Sequence, residues 1–118
     1  MTAKNIEFRT FRPERRPVPR QRVLLSGLIV YRNGAITCDC TFRSLSTTGA
    51  RIAVAQLSQF PTHFYVINVR DGVAYDARVV WSKGLEMGIK FEAGLSLSAK
   101  PDFMLRRLKE LWLAKAHR

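Results

Sequence analysis

Apolar and polar positions alternate along this chain in short runs, separated by turn residues rather than by long helical stretches. Residues 23–31 are rich in Val, Leu and Ile and are followed by Asn33-Gly34, a pair whose tolerance of positive φ favours a tight hairpin. In residues 35–42, Ile36, Cys38, Cys40 and Phe42 alternate with Thr37, Asp39 and Thr41, which predicts one buried and one wet face. A polar stretch, 43–48, reads as a turn before a third strand at 49–54. After a connection over 55–62, residues 63–69 and 73–81 flank Asp71-Gly72, a second hairpin signal. A last strand is expected at 85–91, after Lys83-Gly84. Six short strands with frequent turns predict a mainly β domain: a small six-stranded antiparallel barrel, with a sandwich as the alternative. Closing the barrel would remove exposed strand edges.

The periodicity changes near the end. From Pro101 to about residue 116, Met104, Leu108, Leu111 and Trp112 fall at i, i+4, i+7 and i+8, the stripe of an amphipathic helix. Arg106, Arg107, Lys109, Glu110 and Lys115 would form its wet side, and Pro101 suits a first-turn position. The stripe is expected to pack on the barrel or to close one end of it, with a dimer contact as the other reading. At the opposite end, residues 1–22 carry Pro13, Pro17 and Pro19 and little apolar periodicity. Proline fixes φ and disfavours helix just before it, so this segment reads as an extended, flexible arm attached to a domain over 23–118.

Composition fits one domain with a modest core: 118 residues, 47% hydrophobic and 25% charged. No apolar run reaches the roughly 20 residues of a membrane helix. The polar, Arg-rich beginning is unlike a secretory signal, so a cytoplasmic location is expected. Cys38 and Cys40, at i and i+2, share one strand face and are read as buried or half-buried thiols. With only His63 and His117 as histidines, no metal site is expected. The net charge of +11 is uneven: +5 over residues 1–22, +4 over 100–118 and +2 between. Solubility accounts for some of that excess. The concentration at both ends also implies an anionic partner, such as a nucleotide, a nucleic acid, a membrane surface or an acidic protein.

Two short signals carry the candidate chemistry. Arg16-Pro17-Val18-Pro19-Arg20 places two arginines in an R-x-x-x-R spacing just before the first strand, and Arg12 and Arg16 make a second match. Ser44-Leu45-Ser46-Thr47-Thr48-Gly49 lies between two later strands. Together they resemble the ligand-reading pair of the PilZ domain family, bacterial receptors for the second messenger cyclic di-GMP. Gly49-Ala50-Arg51-Ile52 resembles the strand that follows the family's turn motif. Ala77-Arg78-Val79-Val80-Trp81-Ser82 with Met87-Gly88-Ile89-Lys90-Phe91 is similar to its late hairpin. The resemblance covers nearly the whole chain and implies a PilZ-like barrel with a C-terminal helix.

The resemblance further implies that Arg16 and Arg20 grip guanine bases and phosphates, with Arg15 as a helper. A guanidinium fork matches guanine O6 and N7 and takes phosphate through charge-assisted bonds. Ser46 would match the motif serine. Gly49 would match the motif glycine, expected to need unusual φ/ψ and to leave room for the ligand. The family pattern begins with Asp or Asn, and here that position is Ser44. One hydroxyl accepts less than a carboxylate and reaches less far.

The leading functional expectation is a cyclic di-GMP receptor or adaptor whose arm orders on the nucleotide. With no output module recognised in the sequence, output would pass through a partner protein. A PilZ-like adaptor that ignores the nucleotide is the alternative, favoured by Ser44. A nucleic-acid-binding barrel is a third reading, weakened by the lack of aromatics interleaved with basic residues on one strand pair. Phe8 and Phe11, beside Arg9 and Arg12, come nearest to such a pattern. Enzyme activity, a resident cofactor and membrane insertion are not expected, and a monomer or weak dimer is. His63, Trp81 and Phe91 are read as structural, the last two as core.

Overall fold

The computed structural model describes residues 21–98 and 103–116, the helical ones with side chains from residue 106. Six strands form one closed antiparallel barrel: β1 (Gln21–Tyr31), β2 (Ile36–Leu45), β3 (Gly49–Val54), β4 (His63–Asn68), β5 (Val73–Lys83) and β6 (Glu86–Ser96). Around the barrel the order is β1-β2-β3-β6-β5-β4, and β1 closes onto β4 with Gly27–Val30 opposite Tyr65–Asn68. A helix, α1 (Phe103–Ala116), follows.

The turn chemistry explains the hairpins. Asn33 and Gly34 both have positive φ, 55° and 88°, and the Ala35 N–H donates to the Arg32 carbonyl at 2.9 Å. At the β4–β5 hairpin, buried Asn68 uses both ends of its amide. Its Nδ2 donates to Asp71 Oδ2 at 3.0 Å, and its Oδ1 accepts from the Asp71 N–H at 3.2 Å. Gly72 turns the chain at φ 66°.

Alternation sends two sets of apolar side chains to two places. Ile29, Cys40, Phe42, Ala50, Ile52, Val66, Ala77 and Ile89 fill the barrel interior. Leu28, Val30, Ile67 and Ala74 point outward and meet Leu97 and Leu108 in a second cluster. The end of β1 is therefore buried on both faces, which is why it reads as an unbroken apolar run. Helix α1 thus lies against the barrel's outer wall. Leu111 and Trp112 pack on the second cluster, and the Trp112 Nε1–H donates to the Val69 carbonyl at 2.9 Å. Arg107 reaches the Gly34 carbonyl at 3.1 Å, and Lys115 pairs with Asp39.

Several sequence expectations change in detail. Strand β2 runs on to Leu45, so Ser44 lies on a strand rather than in the turn. Strand β6 runs on to Ser96. The first strand begins at Gln21, two residues inside the expected arm. Trp81 is not a core residue; it is 42% exposed. Phe91 is half-buried against the core, stacked on Tyr75 with ring centres 3.8 Å apart. Cys38 is half-buried and Cys40 buried, and burial pushes the Cys40 thiol up to about 12. Pro101 lies outside the described residues.

Candidate functional site

The turn that joins β2 to β3 is held by one hydroxyl. Ser46 Oγ accepts from the backbone N–H groups of Thr48 and Gly49, both at 3.2 Å, and lies 3.2 Å from the Gly49 carbonyl, to which it donates. The Ser46 N–H also donates to the Gly49 carbonyl, at 2.9 Å. Such local serine bonds replace backbone pairing in a tight turn. The Phe91 N–H donates to the Thr48 carbonyl at 2.8 Å, which ties the turn to β6. Ser46 is thus committed to shaping the turn.

Gly49 does not have the unusual backbone conformation expected of it. It is not among the residues with positive φ. A side chain here would instead drive a Cβ into the Ile89 carbonyl of the neighbouring strand. The glycine permits close approach of β3 to β6 and so fixes the turn's seat on the barrel. Gly49→Ala is expected to destabilise the fold by about 1–3 kcal/mol, the usual cost of forcing extra atoms into packed structure. Urea denaturation checks this; a loss below about 0.5 kcal/mol would refute the close-approach role.

Ser44 belongs to a row of residues that crosses the barrel wall. Cross-strand pairing sets Arg22 opposite Ser44, Ser44 opposite Arg51, Arg51 opposite Gly88 and Gly88 opposite Trp81. Paired residues share a face, and exposed Arg22 and Trp81 mark it as the outer one. Three irregularities in register flank this row: between Arg22 and Leu25 on β1, between Phe42 and Ser44 on β2, and between Val79 and Trp81 on β5. Without them, Ser44 would follow Phe42 into the core and Trp81 would follow Val79. Bulges re-aim side chains in this way, and they are over-represented at barrel rims and beside active sites.

The row has distinct chemistry. The Trp81 indole lies directly over Gly88, where a side chain would collide with its ring. Arg51 is half-buried and makes a long ion pair with Glu86 at 3.5 Å. Ser44 is only 7% exposed, and its Oγ is the one buried side-chain polar atom among the described residues that lacks a hydrogen-bond partner. Arg51 and Trp81 were missed as site residues in the sequence. Pairing register gives them their place, and nothing in their spacing announces the bulges.

Of the expected site residues, the structure brings Ser44, Ser46 and Gly49 to one end of the β2–β3 hairpin. Arg15, Arg16 and Arg20 lie outside the described residues. They precede Gln21, which pairs with Leu45 beside Ser44. No three His, Cys, Asp or Glu side chains among the described residues converge as a metal site. No described helix is long and apolar enough to cross a membrane.

Comparison with known proteins agrees with this architecture. Among solved structures, the chain is similar to the PilZ domain of CeSA from a cellulose-synthesizing bacterium, with a TM-score of 0.52. Identity is 16%, covering 84% of this chain and 97% of that one, so the likeness speaks for the fold. No curated protein sequence matches the chain. The family model of the PilZ domain matches residues 13–109, a span that takes in the R-x-x-x-R signal, the β2–β3 turn and the late hairpin. The chain belongs to the PilZ domain family.

Proposed function

We propose that this chain is a cyclic di-GMP receptor whose binding face is the row from Arg22 to Trp81 together with Arg16 and Arg20, and that it signals through a partner protein. The observation that carries this reading is the set of three bulges that gather Ser44, Arg51 and Trp81 on one outer row. In this reading Arg16 and Arg20 grip guanine edges and phosphates, with Arg15 beside them. The Trp81 ring offers a face on which a base can stack. Arg51 adds a cation for a phosphate, held by Glu86 until the ligand competes for it. Ser46 and Gly49 act through the turn, by fixing its shape. The domain serves as a binding module, with no catalytic role assigned to any residue.

The test is isothermal titration of cyclic di-GMP into the purified protein at physiological salt, beside an Arg16→Ala/Arg20→Ala variant and a Trp81→Ala variant. Saturable binding near or below about 10 μM is expected, equivalent to about 7 kcal/mol. Loss in the double variant and weakening by about 1–3 kcal/mol in Trp81→Ala are expected with it. Absence of heat from folded protein up to several hundred micromolar ligand would rule the receptor out.

A second reading, an adaptor that works without the nucleotide, is favoured by one observation. Ser44 is buried and its lone hydroxyl replaces the acid or amide that begins the family motif. That reading becomes the account of choice if titration is silent.

A further inference from the structure

At the end of β2 opposite the Ser46 turn, two adjoining concavities are both lined by Tyr31, Arg32 and His63. One, of about 210 Å³, lies between the β1–β2 hairpin, β4 and helix α1, with Phe64 and Leu108 in its wall and Asp76 on its β5 side. The other, of about 410 Å³, opens toward Phe60 and Pro61 in the β3–β4 connection. An apolar cavity of about 150 Å³ is enough to take benzene, so the first concavity admits one large side chain.

Its rim is built around Arg32. This residue holds φ 55°, a left-handed conformation that costs a non-glycine residue energy and that concentrates at functional positions. Arg32 is exposed and makes no ion pair among the described residues. The hairpin tip that carries it is pinned from the side, because Arg107 donates to the Gly34 carbonyl at 3.1 Å and its side chain covers that glycine. The acidic groups nearby are Asp76, Glu110 and Glu92. Glu110 accepts from Arg107 at 3.4 Å, and Glu92 is engaged by Arg78 at 2.9 Å and lies 3.7 Å from His63. Asp76 makes no ion pair among the described residues either, but it lies on the β5 side, while Arg32 lines both openings.

The geometry points to this groove as the docking site for an acidic peptide segment of a partner protein, one large apolar side chain entering the cavity beside Leu108 and a carboxylate meeting Arg32. Charge complementarity argues for that occupant: the two guanidinium groups that line the first concavity, Arg32 and Arg107, outnumber its one carboxylate, Asp76, and a guanidinium is the side chain best shaped for carboxylate. A nucleic-acid strand fits less well. The aromatic rings here pack on one another edge to face, Tyr31 on Phe60 and Phe60 on Phe64, each at 6.2 Å, so they do not form a row of parallel faces on which successive bases would stack. The groove stands apart from the Ser44 row, so the inference does not depend on cyclic di-GMP binding.

The experiment pans a random-peptide display library against the full chain and titrates a synthesised winner into wild type, Arg32→Gly and Arg16→Ala/Arg20→Ala proteins. Enriched peptides should combine acidic residues with an aromatic or large aliphatic one, and their binding should weaken as salt rises. Arg32→Gly should lose about tenfold in affinity, as for a deleted charge-assisted contact. Glycine accepts φ 55° freely, so that variant should melt no lower than wild type. The Arg16→Ala/Arg20→Ala protein should bind the peptide as wild type does. The inference is overturned if the library yields no acidic enrichment, if Arg32→Gly binds as well as wild type, or if oligothymidylate occupies the groove in preference to the peptide.

Discussion

Replacing Ser44 by aspartate is expected to tighten cyclic di-GMP binding by about tenfold or more. A good bidentate contact to a base edge contributes roughly 1–3 kcal/mol, and about 1.4 kcal/mol is tenfold in affinity. A carboxylate offers two oxygens where the hydroxyl offers one, so it can accept from both guanine N1–H and N2–H. The site is prepared for the change. Ser44 sits between Arg22 and Arg51 in the cross-strand row, and neighbouring cations favour the ionised acid. Because the serine hydroxyl is buried without a partner, little is lost by removing it. Ser44→Ala should therefore be close to neutral for stability, and Ser44→Asp, whose buried carboxylate needs Arg22 or Arg51 as its partner, should fold but melt no higher than wild type. Titration decides the matter. A folded Ser44→Asp protein that binds no better than wild type would show that this position does not read the base, and would favour the nucleotide-independent adaptor.

Removing the Trp112 indole is expected to destabilise the protein by about 3 kcal/mol and to release helix α1 from the barrel. Trp112 covers Gly72 closely enough that an added Cβ there would come within 2.6 Å of the ring. It also donates its N–H to the Val69 carbonyl and packs on the outer apolar cluster. Alanine would give up the packing and strand that carbonyl together. For a domain of this size, each 1 kcal/mol moves the melting temperature by about 4–8 °C, so Trp112→Ala should melt at least ten degrees lower. Trp112→Phe separates the two terms, since it keeps most of the ring and loses only the hydrogen bond, at about 1 kcal/mol. Urea denaturation followed by circular dichroism reads both. A loss below 1 kcal/mol in Trp112→Ala would mean that the helix is held by Leu108, Arg107 and Lys115 instead.

Much of the fold was legible along the chain because its causes are local. The alternation of Ile36, Cys38, Cys40 and Phe42 marks the inner face of β2, and Asn33-Gly34 and Asp71-Gly72 stand at hairpins. Strand β3 falls at Gly49–Val54 as its pattern predicts. Strand ends were less legible. Glu92, Ala93 and Gly94 carry no strand periodicity, yet they extend β6 because β5 offers partners as far as Val73 opposite Ser96. The helix was visible from its stripe, but its seat was not. The outward Leu28, Val30, Ile67 and Ala74 become a surface for α1 only when β1 and β4 pair.

The candidate site divides along the same line. Sequence alone determined the residues on which the family resemblance rests and which are proposed here to read an anionic nucleotide: the R-x-x-x-R arginines, the Ser46 and Gly49 of a tight turn, and a serine where an acid or amide begins the family motif. These are identities and short spacings, and they do not depend on how distant strands meet. The tertiary structure alone decided that Ser44 lies buried on a strand, that Gly49 serves the approach of β3 to β6, and that Arg51 and Trp81 share Ser44's row. The reason is physical: a one-residue bulge reverses every later side chain on its strand, and where a bulge falls is set by the partner strand.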